Sequence, residues 1–159
     1  MVTQVKTKST SIVDIVSYID KDAISFIEAT SRDDAIVQLI DKLAEKRNLI
    51  SKDEFLEAIL KREKIASTGI GMSVAIPHAK LPIYNDFFIS VGILKEGVNW
   101  GSIDRIPVKL IFLIGGPDDK QTHYLKLLSQ LTLYLRNEEI RKKLLTLTVP
   151  EQIIQIFQS

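Results

Sequence analysis

The chain has 159 residues, no cysteine and 2 histidines, and its 21 basic against 20 acidic residues leave a formal charge of +1. With 45% apolar and 26% charged residues it has the balance of one soluble globular domain. These values exclude disulfides, thiol nucleophiles and thiolate metal sites, and they argue against a broad electrostatic surface for nucleic acid or anionic membrane. No run approaches the ~18 apolar residues of a membrane span. Near the N-terminus Asp14 interrupts the apolar stretch, so no signal-peptide core is present and the expected location is cytoplasmic.

Met1 to Ser11 reads as a polar lead-in, and residues 1–22 as an N-terminal extension with a weak helix. The main domain is assigned to 23–159. Ile24, Phe26 and Ile27 suggest a first short strand. Ser31-Arg32-Asp33-Asp34 resembles a capping box with Asp in its last place, and Ala35, Ile36, Leu39, Ile40 and Leu43 follow at helical spacing to about Arg47. Ser51-Lys52-Asp53-Glu54 is a second capping box, opening a helix that ends near Lys64.

From Ala66 the pattern changes. Ser67 to Gly71 is turn-rich, and Val74-Ala75-Ile76 is a short extended piece stopped by Pro77. Phe87 to Leu94 and Val108 to Ile114 are strands that are apolar at nearly every position. Such strands are covered on both faces, which points to a layered α/β sheet. The last third is helical: a stripe of Tyr124, Leu127, Leu128, Leu131 and Leu135, a shorter helix around Ile140 and Leu144, and a final one through Ile153 and Phe157. Thr148-Val149-Pro150-Glu151 would cap that last helix, with Pro150 in its first turn.

Several kinds of chemistry fail on spacing. No phosphate-binding Gly-x-x-x-x-Gly-Lys-Ser/Thr loop is present, and the dinucleotide start at Gly69-Ile70-Gly71 meets Val74 where its third glycine belongs. His78 and His123 are too far apart to form a paired metal motif, and no cofactor or metal site is indicated. Gly71-Met72-Ser73-Val74-Ala75 approximates a nucleophile elbow, but Pro77 would break the helix that the elbow requires. Ala75-Ile76-Pro77-His78 is different: proline stiffens the strand end and pushes Ile76 extended, so His78 leaves the sheet on a rigid base. From spacing alone, His78 is a loop histidine, Arg62 a solvated helix-end arginine and His123 a boundary histidine beside an apolar stripe.

Taken together, Arg62-Glu63, Ser67-Thr68-Gly69-Ile70-Gly71 and Val74-Ala75-Ile76-Pro77-His78 resemble the active-site signature of the fructose/mannitol-type (type-2) IIA proteins of the bacterial phosphotransferase system. Pro107 to Ile114 followed by Thr122-His123-Tyr124-Leu125 is similar to that family's strand-then-histidine helix, so the resemblance runs from about Ala23 to Phe157. Pro77-His78-Ala79-Lys80-Leu81 and the length resemble the nitrogen-regulatory branch most. Met72-Ser73, where a small or polar residue and then glycine are usual, and Tyr124, where leucine is usual, depart from the pattern.

The resemblance implies a single-domain α/β sandwich with a mixed central sheet and helices on both faces. It implies a phosphotransferase component in which His78 accepts a phosphoryl group from an HPr-type phosphocarrier. His123 would hydrogen-bond the phosphate, Arg62 would stabilise it, and Thr68, Gly69 and Gly71 would support the cradle. The attacking nitrogen is implied to be Nε2, with Nδ1 on a backbone carbonyl. The group would pass to a fructose/mannitol-type IIB domain, or phosphorylation would switch binding to a regulatory target protein. The sequence shows neither a fused IIB or IIC segment nor a membrane span, which leans to the regulatory reading. A degenerate scaffold sits poorly with an intact Arg62, His78 and His123.

Overall fold

The computed structural model describes residues 14–158, and the polar lead-in at Met1 to Ser11 lies outside them. A 3-10 turn, Ile15–Tyr18, leads directly into strand β1 (Ile19–Ile27), which starts five residues before the apolar signal at Ile24. The early part pairs irregularly: Ile19 lies opposite Ile89 and the next partner pair is Ile24 with Val91, across the polar stretch Asp20-Lys21-Asp22. A bulge carries no period-2 pattern, so periodicity misses it.

Helix α1 (Arg32–Arg47) follows, with the Asp34 N–H donating to Ser31 Oγ at 3.1 Å as expected. The Asp34 carboxylate reaches one residue further back than in a capping box and accepts the Thr30 N–H at 2.9 Å. Helix α2 (Lys52–Ile65) lacks the capping box read at Ser51. Asn48 (φ 57°) and Ser51 (φ 54°) are both left-handed, which reverses the chain within a short loop. A side-chain N-cap needs extended backbone, and Ser51 makes no cap bond.

The turn-rich stretch forms three short strands, β2 (Gly69–Gly71), β3 (Val74–Ala75) and β4 (His78–Lys80), instead of one extended piece. Strands of two or three residues are too short to show alternation. With β5 (Phe88–Val98) and β6 (Val108–Gly116) the block holds five strands, not about three. The β2–β3 turn is Met72-Ser73, with φ of 60° and 67°, a conformation more often given to Asn-Gly. It is held from outside: the Met72 N–H donates to the Asp104 carboxylate at 2.8 Å and the Ser73 hydroxyl to the Pro107 carbonyl at 2.5 Å. Ser73 therefore sits on a strand–turn–strand, not on the strand–turn–helix of a nucleophile elbow.

The sheet order is β1-β5-β6-β3-β2, with β4 also pairing with β6. β5 and β6 are antiparallel, whereas β1 runs parallel to β5, and β3 and β4 parallel to β6, so the sheet is mixed. Three helices close the chain: α3 (Gln121–Arg136), α4 (Glu138–Thr146) and α5 (Pro150–Gln158). Asn137 caps α4, accepting the N–H groups of Glu139 and Ile140 at 2.9 and 3.2 Å. At α5 the capping box does not form: the Ile153 N–H reaches the Val149 carbonyl at 3.4 Å, and no bond from the Thr148 side chain is made among the described residues.

β6 shows why its sequence is apolar throughout. Leu110, Phe112 and Ile114 pack with Leu127, Leu131 and Phe157 of the α3–α5 layer. Ile111 and Leu113 pack with Ile36, Leu39 and Phe55 of the α1–α2 layer. All of these residues are at most 3% exposed, so helices cover both faces of the sheet.

Candidate functional site

β4 continues the line of β3 along β6, with His78 opposite Ile114. Val74 and Ile76 point into the α3–α5 core, and Ala75 and Ala79 into the other. By the two-residue period, His78 and Lys80 fall on the α3 side, where the sheet ends and the core gives way to the surface. Pro77 anchors this edge by accepting the Ile114 N–H on its carbonyl at 2.9 Å.

The His78 Nδ1 lies 2.9 Å from the Ile76 carbonyl oxygen. A carbonyl only accepts, so Nδ1 carries the proton and the lone pair is on Nε2. Burial, reinforced by the charges of Arg62 and Lys80, pulls the His78 pKa below its ordinary 6.5 against the opposing Ile76 bond and Glu63. At neutral pH the ring is therefore an uncharged imidazole with one free nitrogen.

Arg62 stands in the last turn of α2, which packs against β4. Its Nη1 donates to the Ala66 carbonyl at 2.8 Å, the helix-end role open to any arginine there. Its charge nevertheless acts on both His78 and Tyr124.

Glu63, next to it, is 2% exposed. Its carboxylate accepts the Thr68 N–H at 2.7 Å and the Thr68 hydroxyl at 2.5 Å, while Trp100 Nε1 donates to that hydroxyl oxygen at 3.2 Å. Both Thr68 donors are thus committed to Glu63, and Thr68 ties the β2–β3 hairpin to α2. The Gly69 N–H is bonded to Ser67 Oγ at 3.1 Å, and a side chain at Gly69 would overlap Ser102 Oγ. Gly71 (φ 93°) lies at the hairpin tip, where a Cβ would come within 3.0 Å of the Asp104 carboxylate. That tip pairs near Leu110, at the other end of β6 from His78. The structure therefore gathers His78 and Arg62, braces them through Glu63 and Thr68, and leaves Gly71 remote.

His123 occupies the first turn of α3, where no acidic residue is present and Lys120 provides no side-chain cap. Its Nε2 is 2.6 Å from the Tyr18 hydroxyl, and the two rings meet edge to face at 5.6 Å. Burial first, then Asp86 and Asp14, push the Tyr18 pKa up, so the phenol keeps its proton. Phe87 stacks beside His123 at 5.2 Å and beside Tyr124 at 6.2 Å, and Tyr124 lies 5.7 Å from His78. The two histidines are thus linked through an aromatic wall. Gly116 makes room for it, because a Cβ there would run into the Phe87 ring.

Sequence reasoning left four contributors without a role. Lys80 places its Nζ 4.4 Å over the Tyr124 ring and donates to Gln121 Oε1 at 2.5 Å. Its spacing of two from His78 was the available signal. Glu63 adjoins Arg62 in the motif, and Tyr124 adjoins His123. Tyr18 had no signal, since its partner lies 105 positions away. A cavity of about 550 Å³ lined by Phe26, Ile93, Lys109 and Leu145 opens at the far end of the sheet and contains none of these residues. Among the described residues no cluster of three His, Cys, Asp or Glu side chains is placed to hold a metal. What the histidine site offers is a neutral nitrogen nucleophile under the charge of Arg62 and Lys80, with a second imidazole beyond the Tyr124–Phe87 wall, suited to an electrophile that carries negative charge.

The chain is similar to several known proteins. The family model described as phosphoenolpyruvate-dependent sugar phosphotransferase system, EIIA 2, matches residues 17–159. The chain is 37% identical over 130 residues to the PTS system fructose-specific EIIABC component of Bacillus subtilis (strain 168), covering 82% of this chain but 20% of that protein. It is 35% identical over 118 residues to the nitrogen regulatory protein of Bradyrhizobium diazoefficiens, covering 74% of this chain and 76% of that one. The crystal structure of the nitrogen regulatory protein IIA-Ntr from Neisseria meningitidis superposes with a TM-score of 0.83 at 27% identity, over 90% of this chain and 98% of that one.

Proposed function

The chain belongs to the EIIA 2 family of the phosphoenolpyruvate-dependent sugar phosphotransferase system, and we propose that it is a phosphohistidine carrier with His78 as the acceptor. The observation that carries this reading is the 2.9 Å contact of Nδ1 with the Ile76 carbonyl, which leaves Nε2 as the only free nitrogen of a neutral ring.

In the transfer, the Nε2 lone pair attacks the phosphorus of an HPr-type phosphohistidine in line with the donor's P–N bond. That bond breaks and its electron pair returns to the donor nitrogen. If the donor ring enters protonated on its second nitrogen, it leaves as neutral imidazole. His78 keeps its own Nδ1 proton on Ile76, so no proton has to move. The protein's task is positioning and charge. Arg62, with one N–H on Ala66 and its others unbonded among the described residues, meets the equatorial oxygens. Lys80 adds a second positive charge. His123, with Nε2 on Tyr18, turns Nδ1 to the phosphoryl group; for Nδ1 to donate, the Tyr18 phenol must donate to Nε2. The uncapped first turn of α3 favours the same anion. Thr68, Gly69 and Gly71 act indirectly, by fixing the hairpin on which β4 hangs.

We assign the carrier to the cytoplasm, in keeping with its cysteine-free composition, and favour a regulatory role in which the dianion at His78 switches binding to a target protein. The relatives named nitrogen regulatory proteins support this, at 35% identity in sequence for one and a TM-score of 0.83 in structure for another; the fructose-specific relative of Bacillus subtilis is as similar in sequence, at 37%. Transfer to a sugar IIB is the second reading, supported by that same fructose-specific relative. The test is to load the chain from a phosphorylated HPr-type donor and add candidate IIB proteins. Label retained on His78, with a partner bound only in one phosphorylation state, supports regulation. Rapid loss of label to a sugar IIB refutes it.

A further inference from the structure

Tyr124 carries an unexplained polar atom. The residue is 4% exposed, and among the described residues its hydroxyl has no hydrogen-bond partner although it is fully buried. A buried hydroxyl without a partner is destabilising, and a folded protein keeps one where something else completes it. A phenylalanine would fill the same space at no such cost.

The surroundings indicate what completes it. The Tyr124 ring is fixed on several sides: Lys80 Nζ lies over its face at 4.4 Å, His78 is beside it at 5.7 Å and Phe87 at 6.2 Å. Arg62, from the opposite layer, acts by its charge on the phenol as it does on His78. Burial, the larger influence, pushes the Tyr124 pKa up and keeps the group a donor. A donor without an acceptor, beside a nucleophile and two cations, is matched by an anion with several acceptor oxygens.

We infer that the Tyr124 hydroxyl is a phosphoryl-contacting group, idle in the unphosphorylated protein and donating to a phosphoryl oxygen once His78 is modified. The inference rests on His78 as phosphoryl acceptor and adds a donor that the histidine–arginine set does not include. It makes the phenol a bias toward the phosphorylated state: its removal relieves the resting form and weakens the loaded one. A residue that only packs the core cannot act in those opposite directions, because its loss would destabilise both.

The test uses Tyr124→Phe in the full chain. Wild type and variant are loaded chemically with phosphoramidate, followed by 31P NMR, and the equilibrium partition of the phosphoryl group against an HPr-type donor is measured together with thermal midpoints of both forms. The unphosphorylated variant should unfold at the same temperature as wild type or higher. Its partition should move toward the donor by about tenfold, the worth of one hydrogen bond to a charged acceptor. A shift below about threefold, or a lower midpoint of the unphosphorylated variant, overturns the inference. Wild type that takes up no phosphoryl group under conditions that load free histidine overturns the carrier reading itself, which separates the two failures.

Discussion

Removing the Glu63 carboxylate should cost this fold more than any other single polar substitution near the site. The side chain is 2% exposed and accepts two hydrogen bonds from Thr68, at 2.7 and 2.5 Å, while Trp100 completes the hydroxyl at 3.2 Å. A bond to a charged group contributes about 1.5–3 kcal/mol, so Glu63→Ala, which loses two and leaves a void, should destabilise by roughly 3–6 kcal/mol. That is a large share of the ~5–15 kcal/mol typical of a domain. With an m-value of about 2 kcal/mol/M, the urea midpoint should fall by ~1.5 M or more. Glu63→Gln keeps the size and one acceptor and should cost about half as much. A double-mutant cycle with Thr68→Val should return a coupling of at least ~1.5 kcal/mol. If the alanine variant loses less than ~1 kcal/mol, or the cycle shows additivity, the network does not hold the hairpin to α2 and the bracing of His78 argued above is wrong.

Three further outcomes are expected. An NMR titration of His78 should give a midpoint below 6.5, and Arg62→Gln should raise it by removing a like charge. Because the folded pKa is depressed, the unfolded chain binds more protons in the window below 6.5; stability from this group is present above pH 6.5 and declines as pH falls through that window. A midpoint above 6.5 would contradict this. Gly116→Ala should lower stability by about 1–3 kcal/mol, seen as a fall of several degrees in the thermal midpoint, because the new methyl meets the Phe87 ring; an unchanged midpoint would mean that the aromatic wall gives way freely. His123→Ala should leave His78 able to accept a phosphoryl group but slow transfer by about 10-fold or more, for one charge-assisted hydrogen bond; unaltered forward and reverse rates would remove His123 from the site.

The parts of the fold that were legible in the sequence are those with a repeating signal. α1, α2 and α3 declare themselves through three-to-four-residue apolar spacing, and β5 and β6 through runs too apolar to have a solvent face. β2, β3 and β4 do not, since each is too short to repeat; the β2–β3 hairpin is held by contacts with the distant segment Asp104 to Ile111, and β4 by pairing with Ile114 to Gly116. The start of β1 hides behind its bulge, whereas Ile24 to Ile27 mark its second half. Capping depends on backbone as well as residue type: Ser31, in extended conformation, caps; Ser51, left-handed, does not.

The site divides in the same way. His78 and Arg62 are visible because a motif keeps them close in the chain. Thr68 is visible as a residue but not in its use, since the sequence cannot show that Glu63 takes both of its donors. Lys80 was within reach of the strand period. Tyr18 and the orphaned Tyr124 hydroxyl gain meaning only when the chain brings the 3-10 turn, β4 and α3 together.

The central claim is that Nε2 of His78 accepts a phosphoryl group. The direct measurement is nitrogen-15 and phosphorus-31 NMR on the protein loaded from a phosphorylated HPr-type donor, with His78→Ala alongside. The account predicts one acid-labile phosphoryl group with phosphorus coupled to Nε2 of His78, and none in the variant. Phosphorus on Nδ1, or an equal load on His78→Ala, would contradict it.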